Sequence, residues 1–341
     1  MRILHIDNIM IRRYGKTKVS TGRKLFNGLI RNNHKVLEFS DRDIAYYEAP
    51  LHIRDFGLRR CNRRLIETCD NFQPELIIIG HCDIIKNETL IEIKKLLPHV
   101  KIAYRNVDPL WEKQNVEKIQ HRLPVADAIF ITTGGKHLHQ FVTGNNIISY
   151  MPNPADAAVE DQNNANKTIF DRDLIFCGVG NITDDRYSFV QRLHTTLDNE
   201  LRFDSFGMHG HPAVWGRPYD EVLAQSKMGL NLNRFEGWYL YSSARISQLM
   251  GNGIITFLST RGNLQRFFSN QHAVYFNDFD DLIRKVRIYQ ADEALRCETA
   301  ANGRLFYHEN FGSLRVAQYI VETTCGMDYS YDYIWQDEIY R

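Results

Sequence analysis

The chain of 341 residues, 43% hydrophobic and 24% charged, reads as a globular protein too long for one ordinary core, and it suits two domains. Its formal net charge of +1 excludes a global attraction to nucleic acid or membrane, so any such binding has to be local. The longest apolar runs, "ELIIIG" and "GIITFL", are far too short to span a bilayer, and the opening "MRILHIDNIMIRRYG" does not read as a signal peptide. Cysteines 61, 69, 82, 177, 297 and 325 form no CxxC pair, which argues against metal ligation and disulfides and suits a reducing cytoplasm.

"MRILHID" is a β-rich run. "TGRKLFNGLIRNN" then places Leu25, Phe26, Leu29 and Ile30 at helical spacing, and "HKVLEFS" is a second strand. This β-α-β unit builds parallel sheets. "CNRRLIETCDNF" predicts a helix, "PELIIIGHCD" a buried strand, "ETLIEIKKLL" a helix and "VKIAYRNVDP" a strand; "ADAIFITTGG" and "NNIISYMPNP" complete about six strands in a first domain over 1–155. Continuous apolar runs imply strands covered on both faces. Residues 156–173, "DAAVEDQNNANKTIFDRD", are polar, lack apolar periodicity and read as an interdomain linker. From "LIFCGVG" onward strand and helix alternate again, giving a second domain over 174–325 and a tail over 326–341. The fold class is α/β, two Rossmann-like parallel-sheet domains facing across a cleft.

Ligands of open parallel sheets bind beyond the carboxyl ends of the strands, so loops that follow strands supply the candidates. The first such loop carries Arg12, Arg13, Lys16 and Lys18 ahead of a helix start, where a phosphorylated or carboxylated ligand fits; a solvated charge run is the competing reading. It matches neither GxGxxG nor GxxxxGK[ST], which disfavours a dehydrogenase or a P-loop NTPase. His81 and Asp83 follow a buried strand, where either suits a proton acceptor or a plain hydrogen-bonding role, and Arg105 and Asp108 sit in an equivalent place. In the second half Gly180, Asn181, Arg186, Gly207, Asn233, Arg234, Glu236 and Tyr239 occupy strand ends. The His-x-His pair at 209 and 211 lacks further ligands at metal spacing, so no metal is expected. "YSSARISQLMGNGIITF" puts Ser242 and Ser243 at a helix start with Arg245 on its first turn; capping without a ligand competes there with phosphate binding.

Taken together, "ISYMPNPAD", "YDEVLAQSKMGLNLNRFEG", "ARISQLMGNGIITFLS" and the long ending from "HAVYFNDFDDLIRKVRIYQ" to "SLRVAQYI" resemble glycosyltransferases of the GT-B fold, and the second half is similar to their group-1, CgeB-like (spore-maturation type) branch. Departures accompany the likeness. Ser247 and Gln248 stand where the family has phenylalanine and an acid, and Ala244 stands where a second motif glutamate is common. The resemblance implies a nucleotide-sugar donor on the second domain, with Arg245 as the catalytic cation beside Ser242 and Ser243, and Gln248 on a ribose or sugar hydroxyl. It implies a glycan or lipid-linked acceptor on the first domain, with His81 or Asp83 as base if the reaction inverts, and a tail over 326–341 that crosses back onto the first domain. No cofactor beyond the donor, no metal and no nucleic acid are expected, and the expected location is the cytoplasm, at the inner face of a membrane. A non-catalytic sugar-nucleotide-binding or scaffold protein of the same fold is the alternative that the missing glutamate favours.

Overall fold

A computed structural model describes residues 1–16 and 21–341, so Lys18 lies outside the described residues. The chain divides into two compact units, Met1–Pro154 with Ser313–Arg341, and Ala155–Gly312.

The first unit alternates strand and helix: β1 (Arg2–Asp7), α1 (Thr21–Arg31), β2 (Lys35–Ser40), α2 (Asp41–Tyr47), α3 (Leu58–Phe72), β3 (Leu76–Ile79), α4 (Asn87–Leu96), β4 (Lys101–Asn106), α5 (Lys113–Arg122), β5 (Ala128–Ile131) and β6 (Ile147–Tyr150). These six strands pair in parallel, in the order β6-β5-β4-β3-β1-β2. Every residue of β3 and β5 is buried, as continuous apolar runs require when helices cover both faces.

The second unit holds β7 (Arg172–Cys177), α6 (Asp185–Leu197), β8 (Phe203–Phe206), α7 (Arg217–Ala224), β9 (Ser226–Asn231), α8 (Arg245–Gly251), β10 (Ile255–Ser259), β11 (Val274–Phe276), α9 (Phe279–Ala291) and α10 (Glu293–Phe311). Its sheet runs β11-β10-β9-β7-β8, again parallel. Gly253, at φ +69°, takes the left-handed backbone that turns the chain from α8 into β10.

Two boundaries differ from the sequence reading. Residues 156–173 are not an exposed linker but part of the second unit. Asn164 is fully buried, and its Nδ2 donates to the carbonyl oxygens of Leu223 (2.7 Å) and Ser226 (2.9 Å). Side-chain amides that satisfy buried carbonyls do here what apolar periodicity does elsewhere.

The last helix, α11 (Ser313–Cys325), and the tail strand β12 (Ile339–Tyr340) belong to the first unit, so α11 leaves the second domain to which the sequence assigned it. α11 lies so close to α1 that a Cβ on Gly28 would collide with the Ser313 carbonyl. Asn32 Nδ2 donates to the carbonyl oxygens of both Gly28 and Leu314, at 2.8 Å each. β12 adds antiparallel to β6 at the sheet edge. Trp335 is fully buried, and Tyr319 of α11 bonds Ser149 of β6 at 2.7 Å.

Candidate functional site

The strands of the second unit deliver their carboxyl ends to a cavity of about 490 Å³. The loop after β9 supplies Asn233, Arg234, Phe235 and Glu236, the last residue of β10 is Ser259 and the loop after it supplies Arg261, and β11 leads into Asn277. The first turn of α6 contributes Arg186 and, a turn later, Phe189. Four of the residues expected from the sequence, Arg186, Asn233, Arg234 and Glu236, therefore meet in one place.

Three arginines, Arg186, Arg234 and Arg261, and three carboxylates, Asp185, Glu236 and Asp278, line this cavity. Burial, and then the charges of Arg245 and Arg234, push the Arg186 guanidinium down to about 10. Its Nε is buried without a hydrogen-bond partner, while its Nη2 donates to the Val179 carbonyl. The Oδ1 of Asn233 is likewise buried and unpartnered. Orphaned donors and acceptors cost free energy unless a ligand or water meets them. Arg234 stands 3.5 Å from Asp184, which restrains one of the cations. Burial raises the Glu236 carboxyl, opposed by Ser259, the Asn233 N–H at 3.3 Å, Arg261 and Arg186. A half-buried carboxylate among hydroxyl and amide groups suits sugar or ribose hydroxyls.

The other expected donor residues lie off the cavity wall. Arg245 is only 8% exposed; its Nε donates to the Cys177 carbonyl at 2.7 Å and its Nη1 to the Leu232 carbonyl at 3.0 Å. Its guanidinium carbon stands 4.7 Å from the Phe176 ring centroid. Two of the nitrogens that the resemblance gives to a diphosphate are engaged by the ends of neighbouring strands. Ser242 and Ser243 do not cap α8, a seven-residue helix whose N-cap is Ala244 with no side-chain bond. Asn231 Nδ2 donates to Ser242 Oγ at 2.8 Å, and Ser243 Oγ donates to Asn231 Oδ1 at 3.3 Å, so both serines pin the loop to the end of β9.

Gln248 accepts from the Tyr219 hydroxyl at 2.9 Å, and Tyr239 accepts from Arg266 at 3.0 Å. Gly207, at φ +96°, lets the loop after β8 approach Gly178 and receive the Gly180 N–H at 3.4 Å. The Asn181 N–H donates to Asp184 at 3.1 Å. These residues shape loops. The sequence reading missed Arg261, Ser259 and Asn277, although the strand-end rule that found Arg234 applies equally to "FLSTRG" and "YFNDF".

In the first unit a pocket of about 30 Å³ gathers His81, Asp83, Arg105 and Asp108. His81 Nδ1 is 3.6 Å from Asp108 Oδ2, and both side chains are well exposed. Asp83 is held by Arg42 through two bonds of 3.1 and 3.0 Å, so its oxygens are already occupied. Arg105 is 3% exposed and paired with Asp7, which corrects its assignment to an acceptor. Burial alone would raise the Asp7 carboxyl, but Arg105, His5 and the Asn8 N–H outweigh it and leave it below the usual range. The main-chain N–H of His81 donates to the same carboxylate at 3.1 Å, so this buried pair braces the loop that carries His81.

Arg12 bonds Asp43 through its main-chain N–H, while Arg13 and Lys16 are exposed. His209, half of the His-x-His pair, bonds the Tyr187 carbonyl at 3.0 Å. Among the described residues no three His, Cys, Asp or Glu cluster as metal ligands.

Residues 186–322 match a family model described as glycosyl transferase-like. No curated protein sequence matches significantly. Among solved structures, a sucrose-phosphate synthase from Thermosynechococcus elongatus superposes with a TM-score of 0.60 at 13% identity, covering 94% of this chain and 98% of its own. AviGT4, a glycosyltransferase involved in avilamycin A biosynthesis, gives 0.60 at 12% identity and 99% coverage of both chains. Anabaena HepE in complex with UDP-glucose gives 0.57 at 11% identity, covering 96% of this chain and all of its own. The chain has the GT-B fold, with two parallel-sheet α/β domains, and its residues 186–322 carry the glycosyl transferase-like signature.

Proposed function

We propose that the protein is a glycosyltransferase that binds a nucleotide-diphosphate sugar in the cavity of its second domain and passes the sugar to a hydroxyl of a glycan, lipopolysaccharide or other glycoconjugate. The observation that carries this reading is the convergence of Arg186, Arg234 and Arg261 on one cavity whose buried Arg186 Nε and Asn233 Oδ1 lack partners. As the bond from the anomeric carbon to the phosphate oxygen breaks, its electron pair stays on that oxygen. Guanidinium groups in a water-poor site stabilise the charge without a metal. Glu236 holds hydroxyls of the sugar or ribose. We assign the acceptor's proton to His81, whose Nδ1 side is held by Asp108 and whose other ring nitrogen takes the proton as the new carbon–oxygen bond forms. An inverting outcome follows from that assignment.

The HepE complex with UDP-glucose supports a uridine-diphosphate hexose as donor, and the loose motif likeness supports a CgeB-like relative. A cytoplasmic setting fits the cysteine pattern. The second reading, a non-catalytic sugar-nucleotide binder, rests on Ala244 in place of the second motif glutamate.

The test is a thermal-shift screen over UDP-, GDP-, ADP- and CMP-sugars, because a ligand that binds only the folded state raises its melting temperature. A shift with one nucleotide family, abolished in Arg186→Ala, is expected. A folded protein that responds to none of them overturns the proposal. Binding without donor turnover across a panel of glycan acceptors selects the second reading.

A further inference from the structure

One face of the first unit turns apolar side chains to solvent among cations. Ile11 and Tyr14 on the loop after β1 are 57% and 87% exposed; Leu51 and Phe56, in the segment between α2 and α3, are 88% and 66% exposed. Tyr47 and Ile53 are exposed beside them. The two stretches form one surface. Asp43 of α2 accepts the N–H of Ile11 at 2.7 Å and of Arg12 at 3.2 Å. The Arg12 guanidinium stands 6.0 Å from the Tyr46 ring, which stacks on His52 at 5.0 Å and meets the Tyr47 ring edge-on at 5.5 Å.

The backbone works to expose these groups. Four of the ten non-glycine residues with positive φ among the described residues lie here: Met10, Tyr14, Leu51 and His52. A leucine held in the left-handed region and turned outward gains nothing for the core, and strain of this kind marks functional segments.

Charge identifies the occupant. Residues 10–16 and 47–64 contain eight Lys and Arg against two Asp and Glu; of the eight, Arg12, Arg54, Arg63 and Arg64 pair with Asp43, Asp55, Glu67 and Glu48. Arg13, Lys16, Arg59 and Arg60 are exposed. Apolar and aromatic tips interleaved with cations match the headgroup boundary of an anionic bilayer, where the tips enter the acyl layer and the cations meet lipid phosphates. Among the described residues no helix is long and apolar enough to cross a membrane, so contact of this kind is peripheral. We propose that this face, built from residues 10–16 and the segment between α2 and α3, seats the protein on anionic lipid bilayers. The inference is independent of the donor cavity.

Sedimentation of the full chain with vesicles of equimolar phosphatidylcholine and phosphatidylglycerol, and with phosphatidylcholine alone, tests it. Binding to the anionic vesicles is expected to exceed binding to the neutral ones by about tenfold or more. Leu51→Ser/Phe56→Ser and Arg13→Glu/Arg59→Glu should each weaken it by about tenfold, with unchanged melting temperature because all four side chains are exposed. Should the first pair disturb folding, the second decides. A wild-type chain that ignores anionic vesicles, or two variants that bind them as wild type does, overturns the proposal. So does a wild-type dimer that Leu51→Ser/Phe56→Ser converts to monomer without vesicle binding, which assigns the face to a second copy. A protein that binds a sugar nucleotide but no vesicle keeps its proposed function and loses this one.

Discussion

Arg186 and Arg245 converge on the same backbone oxygen: both donate to the Leu232 carbonyl, at 3.4 and 3.0 Å, and both guanidinium groups lie against the Phe176 ring. Arg186 lines the cavity; Arg245 is spent on the strand ends. Their substitutions should therefore separate. Arg245→Ala strips the Cys177 carbonyl of its side-chain donor, leaves the Leu232 carbonyl only the longer bond from Arg186 and opens a void, so chemical denaturation should show a loss of about 2–4 kcal/mol. Arg186→Ala loses bonds to the Val179 and Leu232 carbonyls but is less buried than Arg245, so it should cost less stability than Arg245→Ala and weaken donor binding by about tenfold to a hundredfold in titration calorimetry. An Arg245→Ala protein as stable as wild type but blind to donor would return the catalytic role to Arg245.

The histidine and the aspartates of the first unit divide in the same way. His81→Ala should lower kcat by about a hundredfold or more with donor Kd unchanged, as for loss of a general base. Asp108→Asn should lower it less, because it removes only the carboxylate 3.6 Å from the ring and leaves the imidazole in place. Asp83→Asn should change kcat little, since that carboxylate is already engaged by Arg42. Steady-state kinetics over a pH series distinguishes these outcomes, and a dead Asp83→Asn beside an active His81→Ala would exchange their roles.

The two sheets and most of their elements were legible because helical and strand periodicities alternate from Ile3 to Val286 and the strands are buried on both faces. Part of the cavity was legible for a related reason, since the strand-end rule points to Asn233, Arg234 and Glu236 without knowing the ligand. What stayed hidden depends on partners far along the chain. α11 shows an apolar face, but nothing in its sequence says that this face meets Gly28 of α1 rather than the sheet it follows. An arginine after a strand meets either a phosphate or a carbonyl, both of which offer oxygen acceptors, and only the fold shows that Arg245 took the carbonyls. The polar stretch 156–173 hid its burial because Asn164 and Arg296 satisfy main-chain groups there instead of avoiding them.

Asp41, at the first turn of α2, gives the stability a pH dependence. Burial pushes its carboxyl from 3.8 up to about 6, against smaller opposing effects of the Cys82 thiol and the Arg42 N–H. Between those two values the folded state holds a proton that the unfolded chain has released, so stability falls as pH rises through the window and is level above it. Asp41→Asn removes the titration. It should be more stable than wild type at neutral pH by about 2–3 kcal/mol, the advantage shrinking toward zero as pH falls below the ordinary carboxylate range. Urea midpoints across that range provide the measurement; an asparagine variant less stable at neutral pH would mean that the carboxylate is held charged by its neighbours.

Because α11 and β12 complete the first unit, a substitution on α1 should report on the far end of the chain. Gly28→Ala forces a Cβ into the Ser313 carbonyl, a backbone atom that cannot step aside without shifting the helix, and a loss of about 2 kcal/mol or more is expected. Asn32→Ala removes two donors to the Gly28 and Leu314 carbonyls without adding bulk and should cost about 1–2 kcal/mol. Both changes touch the α1–α11 contact, so their effects should not add in the double variant. Amide exchange then locates the damage: faster exchange in α11 and β12 as well as in α1 is the expected pattern, with protection in α8 and α10 retained. Exchange confined to α1, with the tail still protected, would show that the C-terminal segment holds its place without the glycine.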